Sequence, residues 1–328
     1  MAKTKQRRYN EARKCPPPQQ VGARIPKQVA SISPASLKRQ EEVLPMAKLE
    51  QRRYNGTNIN SPSGGIFMNL PYNLIDFNMQ IGRQKPETIR HPDNYCPFCH
   101  TAELTDIIAA DGPIILLRNK YNVLSGTDQF VLIETNKCQS DIPDYTPEHM
   151  QRLLRFGLHH WQKMLNSGRY ADVLFFKNYG PLSGGTIRHP HMQLVAFPEL
   201  AQPLAVLPEE FAGELITSAG NVEFNIATTP RIGFWELNIV PADINTPAAI
   251  AAMAHFIQTG TSFLTRHFHQ GRVQSYNLFF YQLQGKVYIK IMPRFATPPL
   301  FVGYGVHVRP TNIPDMAAEI RQLYFDNE

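Results

Sequence analysis

The run Asn178-Tyr179-Gly180-Pro181-Leu182-Ser183-Gly184-Gly185-Thr186-Ile187-Arg188-His189-Pro190-His191-Met192-Gln193 carries most of what the sequence says about fold and chemistry. Before it, residues 171–178 read as a strand, and after it Met192-Gln193-Leu194-Val195-Ala196-Phe197 reads as another. On a strand, positions 189, 191 and 193 project to one face, so two imidazoles and an amide line a single surface. Alternate histidines also occur as satisfied core residues. The loop ahead of them favours a site, because its small residues can bring backbone N–H groups together as a cradle for phosphate oxygens.

Outward from this run the pattern is one of short apolar segments divided by turns. Residues 113–118 and 130–134 read as strands. Thr146-Pro147 offers a capping hydroxyl and a first-turn proline, and Met150, Leu153, Leu154, Leu158, Trp161 and Leu165 then recur at helical spacing until Gly168. The order returns further on, with a strand over 231–240 and a second Thr246-Pro247 start followed by Ile250, Met253, Ile257 and Leu264. Strands over 275–281 and 286–292 complete it. This rhythm predicts an α+β fold of two tandem antiparallel-sheet halves with packed helices. The expected division is a basic extension over 1–65, a first half over 66–200 with the chemistry, and a second half over 201–328. Where the first copy has His-Pro-His, the second has Tyr288-Ile289-Lys290.

A formal charge of +6 suggests a polyanion partner until it is divided along the chain. Residues 1–65 hold 13 Lys and Arg against 4 Asp and Glu, so the remainder is slightly acidic. The extension is rich in Pro, Gln, Ser and Lys, lacks periodicity, and is expected to be disordered. It contains a near-duplication, residues 1–10 returning at 46–55 with eight of ten positions identical, which makes Met46 a candidate start. Its charge alone suits nucleic acid, and the rest of the chain offers no such partner. No apolar run approaches the roughly 18 residues of a membrane span, and no secretory leader is legible, so a cytoplasmic protein is expected.

Cys96-Pro97-Phe98-Cys99 has the two-residue gap that lets two thiolates face one tetrahedral ion. With His100 it also matches the haem c attachment pattern, and a redox pair is a third reading. The absence of an export signal and of a following βαβ unit favours a metal knuckle over both.

At 178–193 the sequence resembles the galactose-1-phosphate uridylyltransferase family of the histidine-triad superfamily, whose mark is Asn, a Gly/Ser loop and His-Pro-His-x-Gln. The resemblance implies a histidine-triad-like fold and a covalent route in which His191 attacks a nucleotide phosphorus. Gln193 stands where hydrolytic triad proteins place a third histidine, and an amide can hold a phosphoryl oxygen but does not readily shuttle a proton, so transfer is favoured over hydrolysis. Asn178, Ser183, Gly184, Gly185 and Thr186 would bind the phosphate, while Asn119 and Lys85 take the places of family residues near the nucleoside. The family pairs its knuckle with a residue beyond a strand and with the first motif histidine, which implies structural zinc on Cys96, Cys99, Cys138 and His189.

Two departures bear on the substrate. The family's second-half His-x-His, used for iron, is replaced by Tyr288-Ile289-Lys290, so no iron is expected. Gly305 follows Leu300-Phe301-Val302-Gly303-Tyr304 where the family has a sugar-contacting glutamate. The expected enzyme is a uridylyltransferase-like nucleotidyltransferase of carbohydrate metabolism, of the UDP-glucose and hexose 1-phosphate type. Its partners would be a nucleotide or nucleotide-sugar and a phosphorylated acceptor, with a homodimer compatible and no membrane. A dinucleoside polyphosphate phosphorylase or hydrolase, and a non-catalytic nucleotide-binding protein, remain open.

Overall fold

The computed structural model describes residues 72–295 and 297–326. The expected disordered basic extension over 1–65, with its near-duplicated segments, lies outside the described residues.

The first long helix, α1 (Pro147–Leu165), begins where the Thr146 hydroxyl accepts the His149 amide at 3.3 Å. The second, α2 (Pro247–Ser262), begins in the same way, with Thr246 accepting from Ala249 at 3.1 Å. Each carries a glycine where it meets the sheet. A Cβ at Gly157 would stand 2.9 Å from the Phe175 ring, and one at Gly260 would stand 2.6 Å from Ile291 Cδ1.

Ten strands follow in chain order: β1 (Ile107–Asp111), β2 (Ile114–Arg118), β3 (Asp128–Ile133), β4 (Asp172–Tyr179), β5 (His191–Phe197), β6 (Gly213–Ala219), β7 (Val222–Ala227), β8 (Leu237–Pro241), β9 (Tyr276–Leu283) and β10 (Lys286–Pro293). They form one sheet ordered β1-β2-β3-β5-β4-β9-β10-β8-β7-β6, each pairing antiparallel. Read from either edge the order is first, second, third, fifth and fourth strand of a half. The two halves meet where β4 pairs β9, with Asn178 opposite Asn277. The architecture is the expected α+β, histidine-triad-like one. Among the described residues no helix is long and apolar enough to cross a membrane.

Three readings of the second half differ from expectation. The strand over 231–240 is confined to Leu237–Pro241. Before it, Glu236 turns its carboxylate onto the amides of Arg231 and Ile232, both at 2.8 Å, and Gly233 and Phe234 take positive φ, so side chain replaces strand as backbone partner. Strands β6 and β7 were not anticipated. They are joined by Gly220-Asn221, both at positive φ, the two-residue hairpin turn that matches strand twist. A C-terminal helix (Ile313–Tyr324) was not anticipated either; it packs Met316, Ala317 and Ile320 into the core.

The helices cover one face of the sheet. Under β4 and β5 on that face lies a buried ionic cluster. Lys177, 1% exposed, reaches Glu134 at 2.5 Å and Asp141 at 3.2 Å. Tyr145 donates to Glu134 at 2.8 Å and Tyr276 to Asp141 at 2.6 Å. Burial works against the Lys177 charge, but the pull of Glu134 and Asp141 outweighs it and holds its pKa above the usual lysine value. Lys177→Ala would leave two buried carboxylates without their cation, and urea unfolding should show a loss of about 3–5 kcal/mol. A variant within 1 kcal/mol of the parent would mean that the cluster admits water.

Candidate active site and metal centre

The opposite face of the sheet carries the site. β5 pairs β3 with Ile133 opposite His191 and Val131 opposite Gln193, and pairs β4 with Phe176 opposite Gln193. Met192, Leu194 and Ala196 therefore enter the helix-side core, while His191, Gln193 and Val195 line an open cleft.

His191 is 7% exposed, and its Nδ1 lies 2.8 Å from the His189 carbonyl. A carbonyl only accepts, so Nδ1 carries the proton and Nε2 keeps its lone pair. Burial lowers the pKa of this imidazole to about 4, which leaves it neutral at pH 7.

Around it the cleft, about 460 Å³, brings together Lys85, Asn119, Asn178, Gly184, Gly185, Thr186 and Gln193. Leu117, Val123, Val131, Phe176 and Val195 add an apolar wall. Its size and its mix of apolar wall with few polar groups suit a nucleotide-sized ligand. The Lys85 ammonium has no acidic partner among the described residues, and burial lowers its pKa. Gly184 sits at φ +92, and its N–H finds no acceptor among the described residues. Asn119 spends its Oδ1 on the Tyr121 amide at 2.9 Å, keeping its side-chain NH₂ for other partners.

Ser183 is placed differently from the other loop residues. Its hydroxyl donates to the Gly180 carbonyl at 2.7 Å and accepts the Gly185 amide at 3.3 Å, so it braces the loop rather than facing the cleft. Gly180, at φ +81, is pressed on the second half: a Cβ there would lie 2.0 Å from the Gln274 carbonyl. The Asn178 side chain is held from the same side. Asn277 donates to it at 2.6 Å and accepts from Arg294 at 2.7 Å. These second-half supports gave no sequence signal, because they arise only from the β4–β9 register.

The four proposed ligands converge. Cys96, Cys99, Cys138 and His189 place their ligand atoms within 4.8 Å of one another. His189 Nδ1 lies 3.5 Å from the Cys99 sulfur and 3.8 Å from that of Cys96, which lies 4.0 Å from Cys138. A tetrahedral ion with metal–sulfur bonds of about 2.3 Å needs sulfurs about 3.8 Å apart. The other ring nitrogen, Nε2, donates to the Thr135 carbonyl at 2.7 Å, which turns the Nδ1 lone pair towards the thiols. Burial raises the Cys96 pKa, with neighbouring Cys138 adding to it, so free thiolates are disfavoured here unless a cation joins them.

Phe98, inside the knuckle, packs edge-on against both His189 and His191, with ring centroids 5.9 and 5.3 Å away. The knuckle thus walls the His191 pocket, a role the Cys-x-x-Cys spacing does not disclose.

The descriptions of DUF4931, a domain of unknown function, match residues 77–200 as its N-terminal domain and 204–325 as its C-terminal domain. A solved DUF4931 family protein from Bacillus cereus ATCC 10987 is 39% identical, with 67% of this chain and 100% of that one covered and a TM-score of 0.60. An ADP-glucose phosphorylase from Arabidopsis thaliana, solved with bound ADP-glucose, is 14% identical over 74% of this chain and 93% of its own, with a TM-score of 0.54. A uridylyltransferase is 16% identical over 71% and 92%, with a TM-score of 0.56. The last two share the fold. No curated protein matches the sequence.

Proposed function

Since the chain belongs to the DUF4931 family and has a histidine-triad-like fold, we propose that it is a nucleotidyltransferase working through a covalent His191 adduct. The observation that carries this reading is the free Nε2 of a neutral His191, set in a cleft with the unpaired Lys85 ammonium and the free Gly184 N–H. Nε2 attacks the α-phosphorus of a nucleotide-sugar, a P–N bond forms, and the P–O bond to the sugar phosphate breaks. Charge building on the equatorial oxygens meets Lys85, Gly184 N–H and the Gln193 amide, with Asn178 positioning the phosphate. An oxygen of a phosphorylated acceptor then attacks the same phosphorus and returns the electron pair to Nε2.

Residues 66–200 supply the reacting groups, and 201–328 hold them in place. Both the uridylyltransferase and the ADP-glucose phosphorylase that share this fold act by names that fit such a route. The first reading is uridylyl transfer between a UDP-sugar and a sugar 1-phosphate. Phosphorolysis is the second, and Gly305 favours it: at φ +66 it ends the helix Pro299–Tyr304 with no side chain to offer a hexose hydroxyl.

Zinc fits the Cys96, Cys99, Cys138 and His189 cluster. Three thiolates and one imidazole would fill its shell, so the ion would hold structure and leave no position for water.

Incubation with UDP-glucose, ADP-glucose and diadenosine tetraphosphate, each labelled at the α-phosphate, tests the proposal. At least one should leave an acid-labile, alkali-stable label on the protein. A chain that takes up label from none of them is not a nucleotidyltransferase of this kind.

A further inference from the structure

A second pocket, of about 190 Å³, adjoins the nucleotide cleft, and Asn178, Ile187 and His191 line both. It has room for roughly six waters' worth of volume. Among the described residues no carboxylate lines it, and of its cations Lys177 is already committed to Glu134 and Asp141. The other is Arg188. Its guanidinium makes no ion pair or hydrogen bond among the described residues, and its Nε is buried with no acceptor.

Arg188 is half-buried, and leaving its buried Nε donor without an acceptor is unfavourable. The backbone also fixes where this side chain starts. The Arg188 amide donates to Thr88 Oγ1 at 2.8 Å, and Thr88 in turn donates its amide to the Thr186 carbonyl at 2.8 Å. A planar guanidinium that lacks an acceptor, in a pocket free of acid, suits a tetrahedral oxyanion. The nucleotide's own phosphate has Lys85 and Gly184 on the cleft side, so this anion is a different one.

Building on the covalent reading above, we propose that the Arg188 pocket is a second anion subsite that takes the phosphate of the acceptor, either inorganic phosphate or a phosphomonoester. Held there, an acceptor oxygen attacks the phosphorus of the His191 adduct. A P–O–P linkage forms, the P–N bond breaks, and Nε2 recovers its electron pair. The product is a nucleoside diphosphate or its ester.

The test separates the two half-reactions in the full-length protein. A nucleoside 5′-phosphorimidazolide loads His191 with imidazole as leaving group, so no second phosphate is needed for loading. Arg188→Gln should load at the parental rate but require at least about tenfold more inorganic phosphate for half-maximal discharge, with Arg188→Lys recovering part of the loss. Parallel discharge by glucose 1-phosphate distinguishes the two sources, the lower half-saturation naming the acceptor. An unchanged half-saturation in Arg188→Gln overturns the proposal.

Phosphate binding is also read without any adduct, so a failure of loading leaves this inference testable. Inorganic phosphate should raise the thermal midpoint of the parent protein and of Lys85→Gln, and should raise that of Arg188→Gln clearly less. Equal stabilisation of the parent and Arg188→Gln, or none in the parent, also overturns it.

Discussion

His191→Ala should form no covalent nucleotide adduct, and any nucleotidyl transfer should fall by about 10⁴-fold or more. The size of the effect follows from the ring's placement. Its Nδ1 proton is spent on the His189 carbonyl, so Nε2 is the atom left to react, and among the described residues no other imidazole lines the cleft. The mutation removes a buried ring from beside Phe98, so part of any loss could come from a disturbed wall. His191→Asn keeps much of the polar volume and separates the causes. Both variants should unfold within about 2 kcal/mol of the parent, as expected for a modest cavity, and both should be unlabelled. Adduct formation surviving in either would assign the nucleophile to another residue.

Loss of metal is the second large effect expected. Cys96→Ser, or prolonged treatment with a strong chelator, should release one zinc per chain and lower the thermal midpoint by on the order of 10 °C. The unfolding should be partial at first. Cys96 and Phe98 belong to a small apolar cluster with Leu117, Val131 and Ile133, separate from the large core beneath the helices. Detaching the knuckle should undo that cluster and free His189, two residues from the proposed nucleophile His191. Labelling should therefore fall about a hundredfold while far-UV helix content persists. Protease cleavage should appear first near residues 96–104. Protein that contains no zinc as prepared, yet labels at full rate, would remove the ion from the proposal.

Much of this site was legible in the sequence because it depends on local rules. Alternation at 189, 191 and 193 requires only a strand, and the Thr146 and Thr246 caps require only a hydroxyl and a proline at a helix start. The knuckle is two residues wide. What escaped depends on groups brought together from afar. Glu236 replaces a stretch of strand by bonding backbone amides, and hydrophobic pattern does not register that substitution. Strands β6 and β7 mix Glu214, Thr217, Ser218 and Glu223 with their apolar residues, which blurs the period-two signal. Ser183 reads as a phosphate donor by type, and only its geometry shows the hydroxyl turned to Gly180 and Gly185. Arg188 is legible in part: a cation just ahead of His189, beside the phosphate loop, suits either a second phosphate or solvent, and only the structure shows its Nε buried without an acceptor.

The β4–β9 junction carries a consequence for how the protein is made. A ribosome delivers His191 and the thiols well before residues 274–294, the segment that seats Gly180 and steadies Asn178. Until then β4 is an unpaired border with open backbone groups, ready to zip onto a neighbouring nascent chain. Synthesis halted near residue 200 should yield a sticky, inert fragment, and supplying 201–328 separately should rescue its solubility before its chemistry.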